Sequence, residues 1–380
     1  MNKSLKNLED RAADLSFELP DGTPVVRLGL IITLYFKKGY TRETKSKIDE
    51  CFARFYEEFQ PLLKGMFYRR RKKLTDASFN KVREQISKTD SNDEFSWLLG
   101  SAAESTQADE YRLSMLNSFE IHGDQIRSHI KLVFPWSLLK QPGGAARYQD
   151  WLCYLSEKLE VEHGYGGLSS VLPYDYHSYA PTEYELAQQY SGLEVDSMPH
   201  ASSLELLEHI KGVNWYTVLG STFVERLGGE STIRHSLSGR GDIEILTYNN
   251  GLIIRAGEYP ELGALEDGLP AAYVAVNKVV KPVRIPNPDQ LHSYSPYGNC
   301  FEKDSTDRWY ARFDQEETGS TSPSRIEAGQ PCSKAGYWFS PAQANSRRHF
   351  KQGEIMPSFS GSAWGATLWY WSKDSTVTPM

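Results

Sequence analysis

Two histidines and an aspartate lie close together in a tyrosine-rich stretch of the sequence. A general base with an orienting carboxylate requires residues of these types. The stretch reads HGYGG from His163 and PYDYHSY around Asp175 and His177. These three side chains could activate water, as in a hydrolase. A polar pair in a loop explains Asp175 and His177 more simply, and tyrosines are typical of packing or recognition surfaces. Hydrolysis therefore stays an alternative to binding.

Signatures of the common enzyme classes are missing from the sequence. It contains no GxxxxGK[ST] phosphate loop, no GxGxxG after a predicted strand, no GxSxG and no HExxH. Ser78 and Lys81 form an SxxK pattern, but this pattern lies on a polar helical stretch without its usual companion motifs. We therefore expect no catalytic residues.

Carboxylates are concentrated between residues 157 and 196, and such hard oxygen ligands could in principle hold Mg²⁺ or Ca²⁺. No loop of the EF-hand kind arranges them. The cysteines form no CxxC pair and have no histidine partner at zinc-ligand spacing. We therefore expect no metal, no cofactor and free buried thiols. The carboxylates are Glu157, Glu160, Glu162, Glu183, Glu185, Glu194 and Asp196, and the cysteines are Cys51, Cys153, Cys300 and Cys332.

Charge is distributed unevenly along the chain, whose net charge is −7. Residues 150–317 hold 12 Lys and Arg against 26 Asp and Glu, a net charge of −14. Such an acidic body repels nucleic acid and attracts a basic partner, although acidic surfaces also serve solubility. The basic run at 69–73 (RRRKK) has no interleaved aromatic residues, so we interpret it as a solvated connector.

The N-terminal sequence MNKSLKNLEDRAADLSFELPDG is interrupted by acidic residues. It therefore predicts neither a secretion signal nor a membrane-spanning helix. We expect a cytoplasmic protein that makes no membrane contact.

Patterns of strands and helices together predict an α+β protein with mixed, largely antiparallel sheet layers packed with helices. The turn at Asn249-Asn250-Gly251 predicts a hairpin because asparagine and glycine accept positive φ. Thr41 predicts a helix N-cap. The predicted strands are 25–36, 95–100, 111–122, 126–134, 164–173, 242–247, 252–256, 273–280 and 309–313. The predicted helices run from Thr41 to before Pro61 and over 143–162, 182–190 and 203–209, with a strand-to-helix passage at 215–227.

A stretch rich in Gly, Ser, Thr and Pro (EETGSTSPS at 316–324) predicts a boundary between domains. We expect a main domain at 1–317, in which a break between two α/β subdomains near 140–210 is left open. A linker at 318–327 and a small Trp-rich β-type module at 328–380 follow. Its tryptophans favour an aromatic core, with a carbohydrate platform or partner hot spot as alternatives. They are Trp338, Trp364, Trp369 and Trp371.

Three segments resemble, in their order and spacing, the immunity family of type VI secretion, previously catalogued as a domain of unknown function. The first is VVRLGLIITLYFKKGYTRETKSKIDECFARFYEEF at 25–59. The second comprises VNWYTVLGSTFVERLGG at 213–229 and GLIIRAGEYPELG at 251–263. The third is AYVAVNKVVKPVR at 272–284. The resemblance covers most of residues 20–315, and the Trp-rich tail is similar to a small module appended to other immunity proteins.

The resemblance implies a protein that binds a secreted antibacterial toxin, such as a nuclease, in the cytoplasm and so protects the producing cell. Together with the acidic middle third, it predicts a toxin with a basic active-site cleft that these acids cover. The alternatives are a hydrolase that reverses the toxin's action and a Trp-rich scaffold or carbohydrate-binding protein. The predicted partner-binding residues are Glu160, Glu162, Tyr174, Asp175, Tyr176, Tyr179, Glu183, Glu185, Glu194 and Asp196.

Overall fold

β-Branched and aromatic residues fill the 13-residue segment Pro24–Phe36, which forms the central strand, β2, of a large sheet. The computed structural model describes residues 2–288, 291, 296–314, 325–333, 335–340, 342–343, 346–359 and 367–371. The chain divides into two compact units, Met1–Glu316 and Glu317–Met380. The first contains the large sheet and its helices, and the second contains a small sheet. The predicted α+β class with a β-type appendage is confirmed.

The large sheet of the first unit has 11 strands, and each neighbouring pair is antiparallel. Its order is β10-β11-β9-β8-β2-β7-β6-β5-β3-β4, and β1 pairs with β2 outside this path. One sheet therefore crosses the region near 140–210. The other strands are β1 Phe17–Glu18, β3 Gly65–Tyr68, β4 Arg70–Lys73, β5 Ser96–Gly100, β6 Arg112–Leu116, β7 Ser128–Pro135, β8 His163–Val171, β9 Tyr216–Gly220, β10 Ile243–Tyr248 and β11 Gly251–Ala256.

Helices of the first unit pack against this sheet. They are α1 Lys3–Arg11, α2 Arg42–Phe59, α3 Asp76–Ser87, α4 Gly144–Lys158, α5 Ala180–Gln189, α6 Pro199–Glu205, α7 Ser221–Arg226, α8 Glu230–Leu237, α9 Ala271–Val280 and α10 Lys303–Tyr310. Short 3₁₀ helices are Ala12–Leu15, Gln60–Leu62, Glu120–Gln125, Trp136–Lys140, His177–Tyr179 and Lys281–Val283. Thr41 caps α2 as predicted, since its hydroxyl accepts the Thr44 N–H.

Strand β2 is buried on both faces, which explains its nearly continuous apolar sequence. Alternate residues such as Leu30 and Ile32 join the main core, which contains apolar side chains of α2 and α4. The residues between them, such as Ile31 and Tyr35, point to the opposite face of the sheet and join a smaller cluster with Tyr165 of β8. The two faces of the sheet thus have different surroundings, and the second face positions the candidate site.

The strands predicted at 273–280 and 309–313 are wrong. Residues 271–280 form α9, where four consecutive residues, 273–276, are all buried. A helix that is apolar on every side has no 3.6-residue period, and its valines favoured a strand. Residues 303–310 form α10, whose first turn has a capping box between Glu302 and Ser305.

Two other predicted segments differ in detail from the structure. The basic run at 69–73 is mostly strand β4 at the edge of the sheet, and not a connector. Lysine and arginine are frequent at such edges because their charge opposes pairing with another chain. The hairpin predicted after residue 111 is confirmed, but β6 ends at Leu116 and a 3₁₀ helix occupies 120–125.

The second unit contains a four-stranded sheet in the order β12-β15-β13-β14. Trp338 and Trp369 are buried in its core, so they cannot form an exposed carbohydrate platform. Trp364 and residues 318–324 of the predicted linker lie outside the described residues, as does the side chain of Trp371. The strands are β12 Arg325–Glu327, β13 Gly336–Phe339, β14 Arg348–Phe350 and β15 Leu368–Trp371.

Candidate partner-binding groove

The ten predicted partner-binding residues occupy three places in the first unit. Three of them, Glu183, Glu194 and Asp196, are buried. Glu160 and Glu162 come just before the first residue of β8, and the remaining five residues follow its C-terminal end in the sequence. Because β8 has nine residues, its ends are roughly 26 Å apart at about 3.3 Å per residue. The residues beyond the far end are Tyr174, Asp175, Tyr176, Tyr179 and Glu185.

Asp196 is the centre of a buried polar network on the second face of the sheet. Its carboxylate accepts hydrogen bonds from the hydroxyls of Thr33 and Tyr165, each at 2.6 Å. The ammonium of Lys131 lies 2.8 Å from one carboxylate oxygen, and that of Lys211 lies 3.9 Å from the other. This carboxylate is fully engaged inside the protein and has no surface to offer a partner.

The other two buried carboxylates belong to the same network. Glu194 lies 3.0 Å from the ammonium of Lys211 and 3.5 Å from the guanidinium of Arg312. Glu183 accepts the backbone N–H of Asp196 at 3.1 Å. Buried charges are retained only when paired in this way. These residues therefore stabilise the fold around the site and cannot contact another protein in this conformation.

Opposing effects set the pKa of each charged group in the network. Burial raises the pKa of Asp196, but the charges of Lys131 and Lys211 outweigh burial, so this pKa lies below its ordinary value. Burial lowers the pKa of Lys131, Asp196 opposes that effect, and nearby Arg112 adds to it. The strand register makes Arg112 and Lys131 diagonal neighbours on this face, since Ser114, two residues after Arg112, lies opposite Lys131.

Glu160 and Glu162 are neutralised by cations of the same chain. Glu160 is exposed and lies 2.6 Å from the ammonium of Lys47. Glu162 is partly buried, with Lys37 at 2.6 Å and Arg127 also in contact. Paired carboxylates attract a basic partner less than free ones do.

A groove of about 450 Å³ lies at the far end of β8, where helices leave part of the second face of the sheet uncovered. Its floor is formed by alternate residues of β5, β6 and β7. The register places Leu98 opposite Ser114, and Ser114 opposite Lys131. The floor side chains are Ser96, Leu98, Arg112, Ser114, Leu116, His129 and Lys131.

Two segments form the walls of this groove, one from residues 170–177 and the other from 197–200. The first wall is held in place by ring packing and by a backbone hydrogen bond. The ring of Tyr174 stacks on that of Phe67 at 5.0 Å, and the Asp175 N–H donates to the Ser105 carbonyl at 3.0 Å. Tyr174 remains 42% exposed. Tyr174, Asp175 and Tyr176 therefore form a preorganised rim around a polar floor, whereas Tyr179 lies outside the groove lining.

A family model described as type VI immunity for VRR-NUC, TsiV, matches residues 47–313. The chain belongs to the TsiV family. The predicted type VI immunity family is thereby confirmed. The chain is also similar to the T6SS protein PA0821 of Pseudomonas aeruginosa, with a TM-score of 0.72 and 24% identity over 82% of this chain and 92% of that one. At this identity the likeness shows the fold alone. No curated protein matches the chain.

The histidines proposed for a hydrolase do not converge in this TsiV-family chain. His163 is fully buried at the start of β8, with a ring nitrogen 2.9 Å from the Leu206 carbonyl and its ring stacked on Tyr35. Burial lowers the pKa of His163 to about 3. Asp175 and His177 lie beyond the opposite end of that strand. The length of β8, roughly 26 Å, therefore separates His163 from the pair Asp175 and His177, and His163 cannot act together with them.

Two further features of this TsiV-family chain concern metals and membranes. Within the described ranges, no group of three His, Cys, Asp or Glu side chains is arranged to hold a metal ion. Over the same residues, no helix has the length and apolar character that a membrane crossing requires.

The groove floor is the part of the site that the sequence analysis missed. Arg112 and Ser114 alternate with Leu113 and Met115 along β6, which is the pattern of a strand with one core face and one polar face. Lys131 likewise interrupts the apolar run of β7. These alternations are the signal that could have identified the floor.

Proposed function

We propose that this chain binds a VRR-NUC nuclease toxin in the cytoplasm and neutralises it by covering the toxin's DNA-binding or catalytic surface. The observation that carries this proposal is the family match over residues 47–313, since the family is described as immunity for VRR-NUC. Binding of this kind needs no chemistry from the chain, no cofactor, no nucleic acid and no membrane.

The groove rim is the surface we propose for contact with the toxin. Tyr174 and Asp175 are exposed there, and Glu185 is exposed on the helix that follows. Tyrosines are enriched at energetically dominant interface positions. Neither Asp175 nor Glu185 has an ion-pair partner among the described residues, so both charges are available to steer a basic cleft. The buried carboxylates are no longer part of the proposed contact set.

Reversing these two free charges tests the proposed face. We expect Asp175→Lys with Glu185→Lys to slow association with the toxin about tenfold at low salt, because steering by opposite charges is replaced by repulsion. Protection of cells that co-express the toxin falls accordingly. Association rates of the purified proteins and survival of co-expressing cells measure the two effects.

Glu225→Lys is the matched control. Glu225 is an exposed acid on α7, which follows β9 near the start of β8 and thus lies at the end remote from the groove. We expect its reversal to leave the association rate within about twofold of the wild type. Equal slowing by both variants would point to general charge effects and exclude the rim. A wild-type chain that forms no complex with a VRR-NUC toxin would overturn the proposed function itself.

A further inference from the structure

Arg112 is a buried cation whose hydrogen-bonding capacity is largely unused. Its side chain lies on the groove floor and the residue is only 8% exposed. One guanidinium nitrogen, Nη1, is 3.4 Å from the Leu172 carbonyl and 3.5 Å from the carboxylate of Asp109. Both distances exceed the roughly 2.8 Å of a strong charge-assisted bond. Its Nε has no hydrogen-bond partner among the described residues.

Asp109 cannot compensate Arg112 fully because it is held elsewhere. Its carboxylate accepts the backbone N–H of Ala102 at 2.7 Å. Burial raises the pKa of Asp109, and the charge of Arg112 only partly opposes that rise. A guanidinium carries five N–H donors in a planar fork that matches a carboxylate. Such a group buried with two long contacts therefore indicates a site for an external anion.

Other groups on the groove floor also favour an anion. The register pairs Ser114 with Lys131, so Arg112, two residues before Ser114, is a diagonal neighbour of Lys131 on the same face of the sheet. An anion between the two cations would reduce their repulsion. His129 is nine-tenths buried on the same floor, and its Nδ1 has no partner within the described residues. In the tautomer with the proton on Nδ1, this neutral ring donates to an anion. Leu98 and Leu116 supply apolar surface beside these donors. The floor therefore suits a carboxylate on a hydrocarbon stem.

We propose that Arg112 receives a carboxylate side chain of the nuclease toxin, carried on a segment that enters the groove. This inference rests on the proposed function and adds the chemistry of the contact. The groove volume of about 450 Å³ lies in the range of specific binding pockets. The open groove with its rim of half-exposed tyrosines has the composition of a protein interface, which favours a toxin segment over a free small molecule.

A double-mutant cycle tests this contact directly. Arg112→Gln in the full-length chain is combined with toxin variants in which each Asp or Glu is changed singly to Asn or Gln. We expect one toxin carboxylate to be coupled to Arg112, so that its amide variant weakens binding to the wild-type chain about 10- to 100-fold and weakens binding to Arg112→Gln little further. Arg112→Lys retains the charge without the fork and is expected to restore only part of the affinity.

Four results separate the possible failures. If the wild-type complex forms and every cycle is additive within about twofold, Arg112 holds no toxin carboxylate. If N-acetylglutamate binds the chain through Arg112 without competing with the toxin, the site serves a small carboxylate and the proposal is wrong. If Arg112→Gln does not fold, the amide variants of the toxin are still measured against the wild-type chain. The proposal requires at least one of them to bind more weakly, so unchanged affinity for all of them would refute it. Absence of any wild-type complex would instead refute the proposed function.

Discussion

Asp196→Ala is expected to lower the free energy of unfolding by about 3–5 kcal/mol, the cost typical of removing one partner from a buried charge pair. The substitution leaves Lys131 and Lys211 without their shared carboxylate, and both lysines are buried. It also removes the acceptor of the hydroxyls of Thr33 and Tyr165. Urea unfolding followed by circular dichroism measures the change.

The control for this prediction is Asp175→Ala, which removes an exposed carboxylate from the same acidic region. Its effect should stay within about 0.5 kcal/mol, as for most surface substitutions. A loss below about 1 kcal/mol for Asp196→Ala would show that water or a rearranged lysine compensates the missing charge. The network would then contribute little to the rigidity of the groove.

Acidification from pH 6.5 to 4.5 should destabilise the protein by about 2 kcal/mol for each of two buried histidines. Burial lowers the pKa of both His129 and His163 to about 3, whereas an unfolded histidine titrates near 6.5. The unfolded state therefore binds protons first as the pH falls. The stabilisation is complete above about pH 6.5 and is lost progressively toward the folded pKa of about 3.

Urea unfolding at a series of pH values checks this dependence. His129→Gln and His163→Gln should each reduce the slope of unfolding free energy against pH by up to about 1.4 kcal/mol per unit between pH 6 and 4.5. His122 is exposed, so His122→Gln should leave the slope unchanged. A slope that none of the three substitutions alters would assign the acid sensitivity to carboxylates instead.

Local signals predicted the fold well where neighbouring residues decide the structure. The hairpin across Asn249-Asn250 is confirmed, since β10 and β11 pair around those two residues. The turn does not use the positive φ on which the prediction was based, because neither asparagine nor Gly251 adopts it. Helix α9 was assigned incorrectly because tertiary burial, and not local preference, determines its conformation. Its segment 271–280 has the composition of a strand but is packed on all sides as a helix.

The candidate site was harder to predict because net charge does not show which carboxylates are exposed. Glu183, Glu194 and Asp196 contribute to the acidic balance of residues 150–317, yet they face lysines inside the protein. Lys131 is 65 residues from Asp196 in sequence, so only the folded sheet brings them together. By contrast, Asp175 was correctly interpreted as a polar loop residue, while its contact and that of Tyr174 with a toxin stay predictions.

Strand β2 emerges from the ribosome long before either of its neighbours in the sheet. Its partners β7 and β8 end at Pro135 and Val171, whereas β2 ends at Phe36. At typical translation speeds, adding the residues up to the end of β7 takes about 5–20 s, and adding those up to the end of β8 takes about 7–27 s. Until then β2, an apolar segment with high aggregation propensity, has only the two-residue strand β1 as a native partner in the sheet. We therefore expect the yield of folded protein to depend on chaperone capacity during its synthesis.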